Sequence, residues 1–320
     1  MRRRFKFLLI ISTIVGVLSL MLGVSSARDI NEWLSIDGVI SGAVQCEELT
    51  QMEEKDTCRG ALPFQPEISI RPSDRHEFFA KLGFAAGNGL NEISPFAQFP
   101  WATDLESDVK DINGSGRNYL LTSWYKHTII TGEATSLSLT GGIIDSTEYL
   151  NNNAFANDEF TQFMNEVFVN DPEPFLPSYD VGAALELDTP GLSFHTVVMQ
   201  VNENEDGERY NYYGAEITLK DKSDLGEGNY RFLVAGTDQK FMDTTQTTRE
   251  SLLALAISLD QEVGQILGLF ARFGWQKDDA AIDYGSFYSG GLDIKGSAWG
   301  GTGDNIGIGY AYLTGGNTDI

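Results

Sequence analysis

Beyond residue 33 the chain alternates. Apolar side chains recur at every second position in segments of about nine to twelve residues that end in Gly, Asn, Asp or Pro, the pattern of strands with one greasy face. Over 34–44 the apolar set is Leu34, Ile36, Ile40 and Val44, with Asp37, Ser41 and Ala43 opposite. Ile68 and Ile70 alternate with Glu67, Ser69 and Arg71, while Phe78, Ala80, Leu82 and Phe84 oppose Phe79, Lys81, Gly83 and Ala85. Later segments are clearer. Val181, Ala183, Leu185 and Leu187 share a face, as do Leu253, Leu255, Ile257 and Leu259. Tyr230, Phe232 and Val234 flank Arg231, and Leu267, Leu269, Phe273 and Trp275 oppose Gly268 and Arg272. Leu292, Ile294 and Ala298 oppose Asp293 and Lys295, and Ile306, Ile308, Tyr310 and Tyr312 oppose Gly307 and Gly309. Segments 118–130 and 192–201 are apolar on both faces, so their sides stay unassigned. About thirteen strands are expected, an all-β chain.

Alternation alone does not say which medium meets the apolar side, because a soluble sandwich alternates too. Three features favour lipid. The strand lengths match the nine to eleven residues that cross a bilayer when tilted. The opposite face carries glycines and isolated charges rather than a packable core. Trp33, Tyr230, Trp275, Tyr284, Trp299, Tyr310 and Tyr312 cluster near strand ends, as interfacial girdles do. A Lys or Arg on the lipid side at mid-depth costs about 2–4 kcal/mol, a large part of a folding free energy of about 5–15 kcal/mol. Arg71, Lys81, Arg231, Arg272 and Lys295 are therefore expected to point inward wherever they sit at membrane depth.

The connections sort by parity. One set, 45–60, 87–116, 146–178, 202–209, 238–249 and 276–284, holds most of the longer loops and would be extracellular. The other, 72–77, 131–136, 188–191, 220–228, 260–264 and 297–303, holds short turns and would be periplasmic. This is the layout of a transmembrane antiparallel up-and-down β-barrel. Asn157 to Val169, inside the longest loop, is expected to form a short helix with Asp158 as N-cap.

The N-terminus supplies a compartment. Arg2, Arg3, Arg4 and Lys6 precede an uncharged run from Phe7 to Val24, and Ser25-Ser26-Ala27 offers small residues for cleavage after Ala27. Residues 1–27 read as a secretory signal peptide and 28–320 as the barrel. The chain carries 46 acidic against 22 basic residues, a formal charge of −24 that becomes −28 once the leader is removed. Such an acidic chain excludes a nucleic-acid partner, which needs a basic face. In an oxidising space Cys46 and Cys58 are expected to form a disulfide stapling a polar surface loop.

Several word-like stretches then resemble one family. Gly60-Ala61-Leu62-Pro63-Phe64-Gln65-Pro66-Glu67-Ile68-Ser69-Ile70-Arg71-Pro72 resembles the opening hairpin of the OprB-type carbohydrate-selective porins. So do Lys81-Leu82-Gly83-Phe84-Ala85-Ala86-Gly87-Asn88-Gly89-Leu90-Asn91, Pro100-Trp101-Ala102-Thr103-Asp104-Leu105-Glu106 and Asn118-Tyr119-Leu120-Leu121-Thr122-Ser123-Trp124-Tyr125-Lys126-His127. Gly141-Gly142-Ile143-Ile144-Asp145, Leu176-Pro177-Ser178-Tyr179-Asp180, Tyr288-Ser289-Gly290-Gly291-Leu292 and Asp304-Asn305-Ile306-Gly307-Ile308-Gly309-Tyr310 look like later strands and turns. The likeness spans essentially 33–316. It implies a 16-stranded outer-membrane barrel that passes sugars by facilitated diffusion. With about thirteen strands in place, the chain is expected to lack about three C-terminal strands and to leave a gap between the first strand and the thirteenth.

A porin needs no catalytic group. It needs a wet lumen narrowed by polar groups that replace sugar hydration, and two long loops, Asn88 to Gly116 and Ser146 to Ser178, could fold inward to do so. Glu67, Arg71, Lys81, Arg231 and Arg272 are the lumen candidates for hydroxyl binding, and the first loop adds Trp101 for stacking together with Asp104, Glu106, Asp108 and Asp111. The expected partners are small neutral sugars and outer-membrane lipid, with a homo-oligomer left open. The acidic balance also fits a cation-selective general pore, and an exported soluble β-sandwich lectin is the reading from another class. An enzyme is not expected. His76, His127 and His195 lack metal-ligand spacing, no phosphate-binding or nucleophile-elbow motif occurs, and no cofactor or metal is implied. The acidic stretch Asn202-Glu203-Asn204-Glu205-Asp206-Gly207 imitates half a calcium loop but puts Tyr213 where the bidentate Glu belongs, so it reads as a solvated hairpin.

Overall fold

The computed structural model of the chain describes residues 22–25, 28–47, 57–91, 93–94, 98–132, 134–202, 209–242, 248–277, 284–301 and 303–315. Among these residues sixteen strands lie in one antiparallel sheet. They are β1 Leu22–Ser25, β2 Arg28–Asn31, β3 Leu34–Glu47, β4 Thr57–Ser73, β5 His76–Leu82, β6 Phe84–Ala86, β7 Leu120–Thr131 and β8 Ser136–Ile144. After them come β9 Asp180–Asp188, β10 Leu192–Val201, β11 Tyr210–Ser223, β12 Gly226–Met242, β13 Arg249–Val263, β14 Leu267–Lys277, β15 Tyr284–Lys295 and β16 Asn305–Gly315. One short helix, α1 Glu106–Lys110, sits in the first long loop.

From β3 onward each crossing pairs with the next in chain order, an up-and-down meander. β5 and β6 are two pieces of one crossing, divided at Gly83, where a Cβ would strike Leu121 and Val109. Counted that way, β3 to β16 make thirteen crossings among the described residues, as the sequence periodicity suggests. Among the described residues β16 pairs with β15 alone and β1 ends the other side of the sheet, so the expected gap is present and these strands do not close a ring. β1 falls within the expected leader and pairs with Val39–Gly42 of β3.

The two faces differ as a lipid-facing wall requires. Ile36, Ile40, Val44, Ile68, Phe78, Val181, Phe232, Leu255, Ile308 and Tyr310 are all exposed on the outer face. The face that the long loops cover, the inner one, presents Ser41, Gln45, Thr122, Thr140, Glu216, Thr218, Arg231, Ser258, Asp260 and Arg272. The unassigned segment 192–201 now has sides. Val198 is exposed outside, while Val197, Met199 and Val201 cluster inside with Ile144 of β8 and with Tyr149 and Leu150 of the second long loop. In 118–130, Tyr125 faces outward beside Phe78, and Trp124 lies inward, stacked on Phe79. The inner face is thus more apolar near its loop end than alternation suggests, because the loops give those residues something dry to pack on.

The connections also sort as expected. Among the described residues, the turns at Asp74–Arg75, 189–191, 224–225 and 264–266 lie at one end and both long loops at the opposite end, while the other expected extracellular connections fall largely outside the described residues. The Asn202–Gly207 stretch is largely outside the described residues. Cys46 and Cys58 oppose each other in β3 and β4 and form the disulfide. The loop it closes is worth about 3 kcal/mol in the chain-entropy model.

Candidate functional site

Both long loops fold over the inner face. The first, 87–119, buries Trp101 and Leu105 completely against Ala43 and Ala61 of β3 and β4, joined by Phe160 and Met164 of the second loop. The α1 turn is closed by Asp108, whose Oδ2 accepts the Leu105 N–H at 2.9 Å. The second loop, 145–179, runs along the wall from β8 toward β16 and then back. Glu216 of β11 accepts the Asn151 N–H at 2.7 Å, Ser258 of β13 accepts from Asn153 at 3.1 Å, and Asp260 accepts the Ala154 N–H at 3.3 Å.

The expected helix over Asn157 to Val169 does not form. Asp158 Oδ1 does accept the N–H groups of Phe160 and Thr161, at 2.7 Å each, as a cap would. The turn then stops, and only a short 3-10 turn, Glu166–Phe168, follows with Asn165 as its cap. The reason is that the apolar residues serve different walls. Phe160 and Met164 pack toward β3 and β4, whereas Phe163 and Phe168 pack on Phe270 of β14. A regular helix could not divide its side chains that way.

The loops are stitched to each other. Ala102 N–H donates to Met164 O at 2.9 Å, and Phe99 and Glu166 exchange two bonds, one backbone and one side chain, at 3.1 and 3.0 Å. Between them lies a cavity of about 340 Å³ whose carboxylates are Asp104, Asp108, Asp111, Asp145, Glu159 and Glu166, with no Lys or Arg among its lining residues. Asp145 accepts three hydrogen bonds, from the Thr147 N–H, the Thr147 hydroxyl and the Ser178 hydroxyl, and Asp104 links the loops to the wall. Asp104 Oδ2 accepts from the Tyr179 hydroxyl at 2.6 Å and from Gln65 Nε2 at 3.5 Å, joining both loops to β4. Burial pushes the Asp104 carboxyl up to about 7, and Asp108 and Asp145 add to the rise against the Tyr179 bond. Glu159 is pushed up to about 7 mainly by burial, and Glu166 is raised for the same reason.

The seven candidates from the sequence divide into four groups. Glu67 and Lys81, on β4 and β5, join at the edge of this site: Lys81 Nζ lies 3.3 Å from Glu67 and 3.2 Å from Glu148 of the second loop. With Asp104 they form one constellation. Trp101 has no exposed face, and its ring meets Phe160 edge-on at 6.3 Å, which makes it a packing residue of the loop. Arg71 sits at the turn end, paired with Glu77 at 2.8 Å, away from the loops. Arg231 is paired with Asp260, and Arg272 is fully buried beneath the second loop. Sequence reasoning did not single out Tyr179, Asp145, Glu148 or Glu159. The available signal was that 145–179 carries seven acidic residues and no basic one.

A curved up-and-down wall with apolar residues outside, polar residues inside and long loops folded into the interior defines the porin-type β-barrel fold. OprB of Pseudomonas putida, in its high-pH structure, superposes with a TM-score of 0.67 at 17% identity, over 90% of this chain and 75% of that one. The fold is therefore that of the OprB-type porins. The chain belongs to the family of an uncharacterised protein of Aquifex aeolicus (strain VF5), with which it is 31% identical over 258 residues, 79% of this chain and 72% of the relative. Salmonella typhi OmpF, in complex with daunomycin, overlaps at a TM-score of 0.45 and 9% identity over 90% of this chain and 100% of its own. No family model matches the chain.

Proposed function

We propose that this protein is an outer-membrane porin through which small neutral carbohydrates, monosaccharides such as glucose, diffuse along a water-filled lumen narrowed by the two inward loops. The observation that carries the reading is the reversal of faces: Phe232, Leu255, Ile308 and Tyr310 are exposed while Arg231, Asp260 and Arg272 are buried inside. Water cannot favour that arrangement, and hydrocarbon does. At the cavity, carboxylate, amide and hydroxyl groups of Asp104, Asn113, Asn157 and Tyr179 offer acceptors and donors that can replace the hydration of a sugar. No step of this transport requires a catalytic group, a cofactor or a metal. The protein reaches the outer membrane as a secreted precursor cleaved after Ala27, so Arg28 would be its first mature residue, read by N-terminal sequencing of the membrane fraction.

The test is liposome swelling with a panel of sugars. Glucose should enter several-fold faster than a trisaccharide, and liposomes that swell no faster than empty ones sink the reading. The acidic lining favours a second reading, a cation-selective general pore. Reversal potentials in a salt gradient separate the two. Strong cation preference without block by glucose supports the second, and that preference should grow from pH 6 to pH 8 as Asp104 and Glu159 ionise near 7.

A further inference from the structure

We propose that Arg272 is a positioning residue that pins the 145–179 loop across the interior and thereby fixes the width of the passage, an assignment that rests on the transport reading for its second half only. The guanidinium is fully buried, and its two terminal nitrogens donate to the loop, while the Nε–H has no partner among the described residues. Nη1 donates to Phe168 O at 2.8 Å, while Nη2 donates to Asn151 O at 3.1 Å and to Asn157 Oδ1 at 3.2 Å. One side chain thus ties together three loop positions that are 17 residues apart in sequence at their extremes. The loop has no basic residue of its own, so the wall supplies the positive charge that seven acidic residues lack. A lysine could carry that charge but not the diverging donors of a planar fork.

Every inward residue of β14 around Arg272 is shaped to the same loop. At Gly268 a Cβ would lie 2.3 Å from the Phe155 ring, and at Gly274 it would lie 2.2 Å from Asp171 Oδ1. Phe270 meets the rings of Phe163 and Phe168, and Gln276 Nε2 donates to Glu173 O at 3.3 Å. On β16, Gly307 and Gly309 leave room for Phe163 and Phe168. Glycine supplies space there but no directional hold, and Arg272 supplies the hold. The stretch it fixes includes Asn157, Glu159, Glu166 and Val169, which line the cavity, and Met164, which bonds the other loop through Ala102. Moving this stretch moves the opposite wall of the cavity with it. The arrangement is a seated partition rather than a lid.

The test uses the full chain in outer membranes and in liposomes, with Arg272→Gln, Arg272→Lys and, as a variant that leaves the wall untouched, Asn157→Ala. Loop seating is read by the rate of cleavage at Glu148, Glu159, Glu166 and Glu173 by a glutamate-specific protease. Passage is read by the swelling rate with a trisaccharide relative to glucose. Both Arg272 variants should be cleaved at least tenfold faster than the parent and should admit the trisaccharide several-fold more readily, and Asn157→Ala should show a two- to threefold effect on cleavage. Arg272→Lys behaving as the parent would mean that charge alone suffices and would overturn the role of the fork. Unchanged cleavage in folded Arg272→Gln, or in Asn157→Ala should the arginine variants fail to fold, overturns the pin. Faster cleavage with an unchanged size limit overturns the claim on passage width. Parent liposomes that admit no sugar defeat the transport reading while the cleavage result still decides the pin.

Discussion

At the residue scale, the buried carboxylates under the loop make its seating depend on pH. Asp171 is almost wholly buried, and its Oδ1 accepts the Glu173 N–H at 3.1 Å. Burial pushes its carboxyl up to about 7, against the backbone bond and the attraction of Arg272 on β14. A carboxyl raised in the folded state favours folding below its unfolded value near 4 and loses that contribution as pH climbs through 7. The loop should therefore be seated more firmly at pH 5.5 than at pH 8, by about 2 kcal/mol for this group alone. Asp171→Asn should remove this group's share of the difference, leaving that of Glu159 and Asp104, with hydrogen exchange of the loop amides at the two pH values as the measurement. Exchange that slows toward pH 8, once the chemical rate is divided out, would contradict it. The sequence shows Asp171 only as one acid in an acidic loop, since burial depends on β14 lying over it. Arg272 illustrates the same limit: alternation places it inward correctly, but a wet lumen and a covered one look alike in sequence. Glu67, Lys81 and Asp104 were legible singly, as inward or loop charges, but not as a group, because the stretches that carry them also carry Arg71 and Trp101, which the structure places elsewhere.

At the scale of elements, the strands were readable and the loops were not. Period-two alternation identifies a strand wherever one face meets a uniform medium, and the outer face of Leu253, Leu255, Ile257 and Leu259 does so. It fails in 192–201, where Val197 and Met199 meet the loop rather than water. It fails for the 157–169 helix, where local propensity and a good cap are overridden by side chains seated on separate walls. Glycine on β14 carries information that periodicity does not use. Adding one methyl at Gly268 would drive a Cβ into Phe155, whereas at Gly191, in a turn, nothing lies within 4 Å. Gly268→Ala should cost about 1–3 kcal/mol through overpacking, and Gly191→Ala less than about 0.5 kcal/mol, as surface changes usually do. The midpoint of heat-induced loss of the folded electrophoretic form reads both. Phe155→Leu placed together with Gly268→Ala should recover part of the loss, because it empties the space that the new methyl enters.

At the scale of the whole molecule, everything follows from the medium on the outer side, and depth provides the sharpest test of it. Phe232 lies near the middle of β12, pairs with Ile217 and Ile257 on neighbouring strands, and is 64% exposed. Leu225 is 56% exposed but lies in the turn between β11 and β12. To water these two positions are equivalent, exposed apolar residues of similar area, and a lysine at either would change stability by no more than about 0.5 kcal/mol. To a bilayer they differ. A lysine at mid-depth must drag a charge into hydrocarbon or pull water after it, at about 2–4 kcal/mol, and at the interface it costs about 0–1 kcal/mol. Phe232→Lys should therefore lower the urea midpoint of the protein in lipid vesicles sharply, with Leu225→Lys close to the parent. Phe232→Leu, which keeps the apolar surface and removes only the ring, should stay near the parent too. Equal, small effects of both lysines would place water on that face and would remove the basis for a channel through the interior.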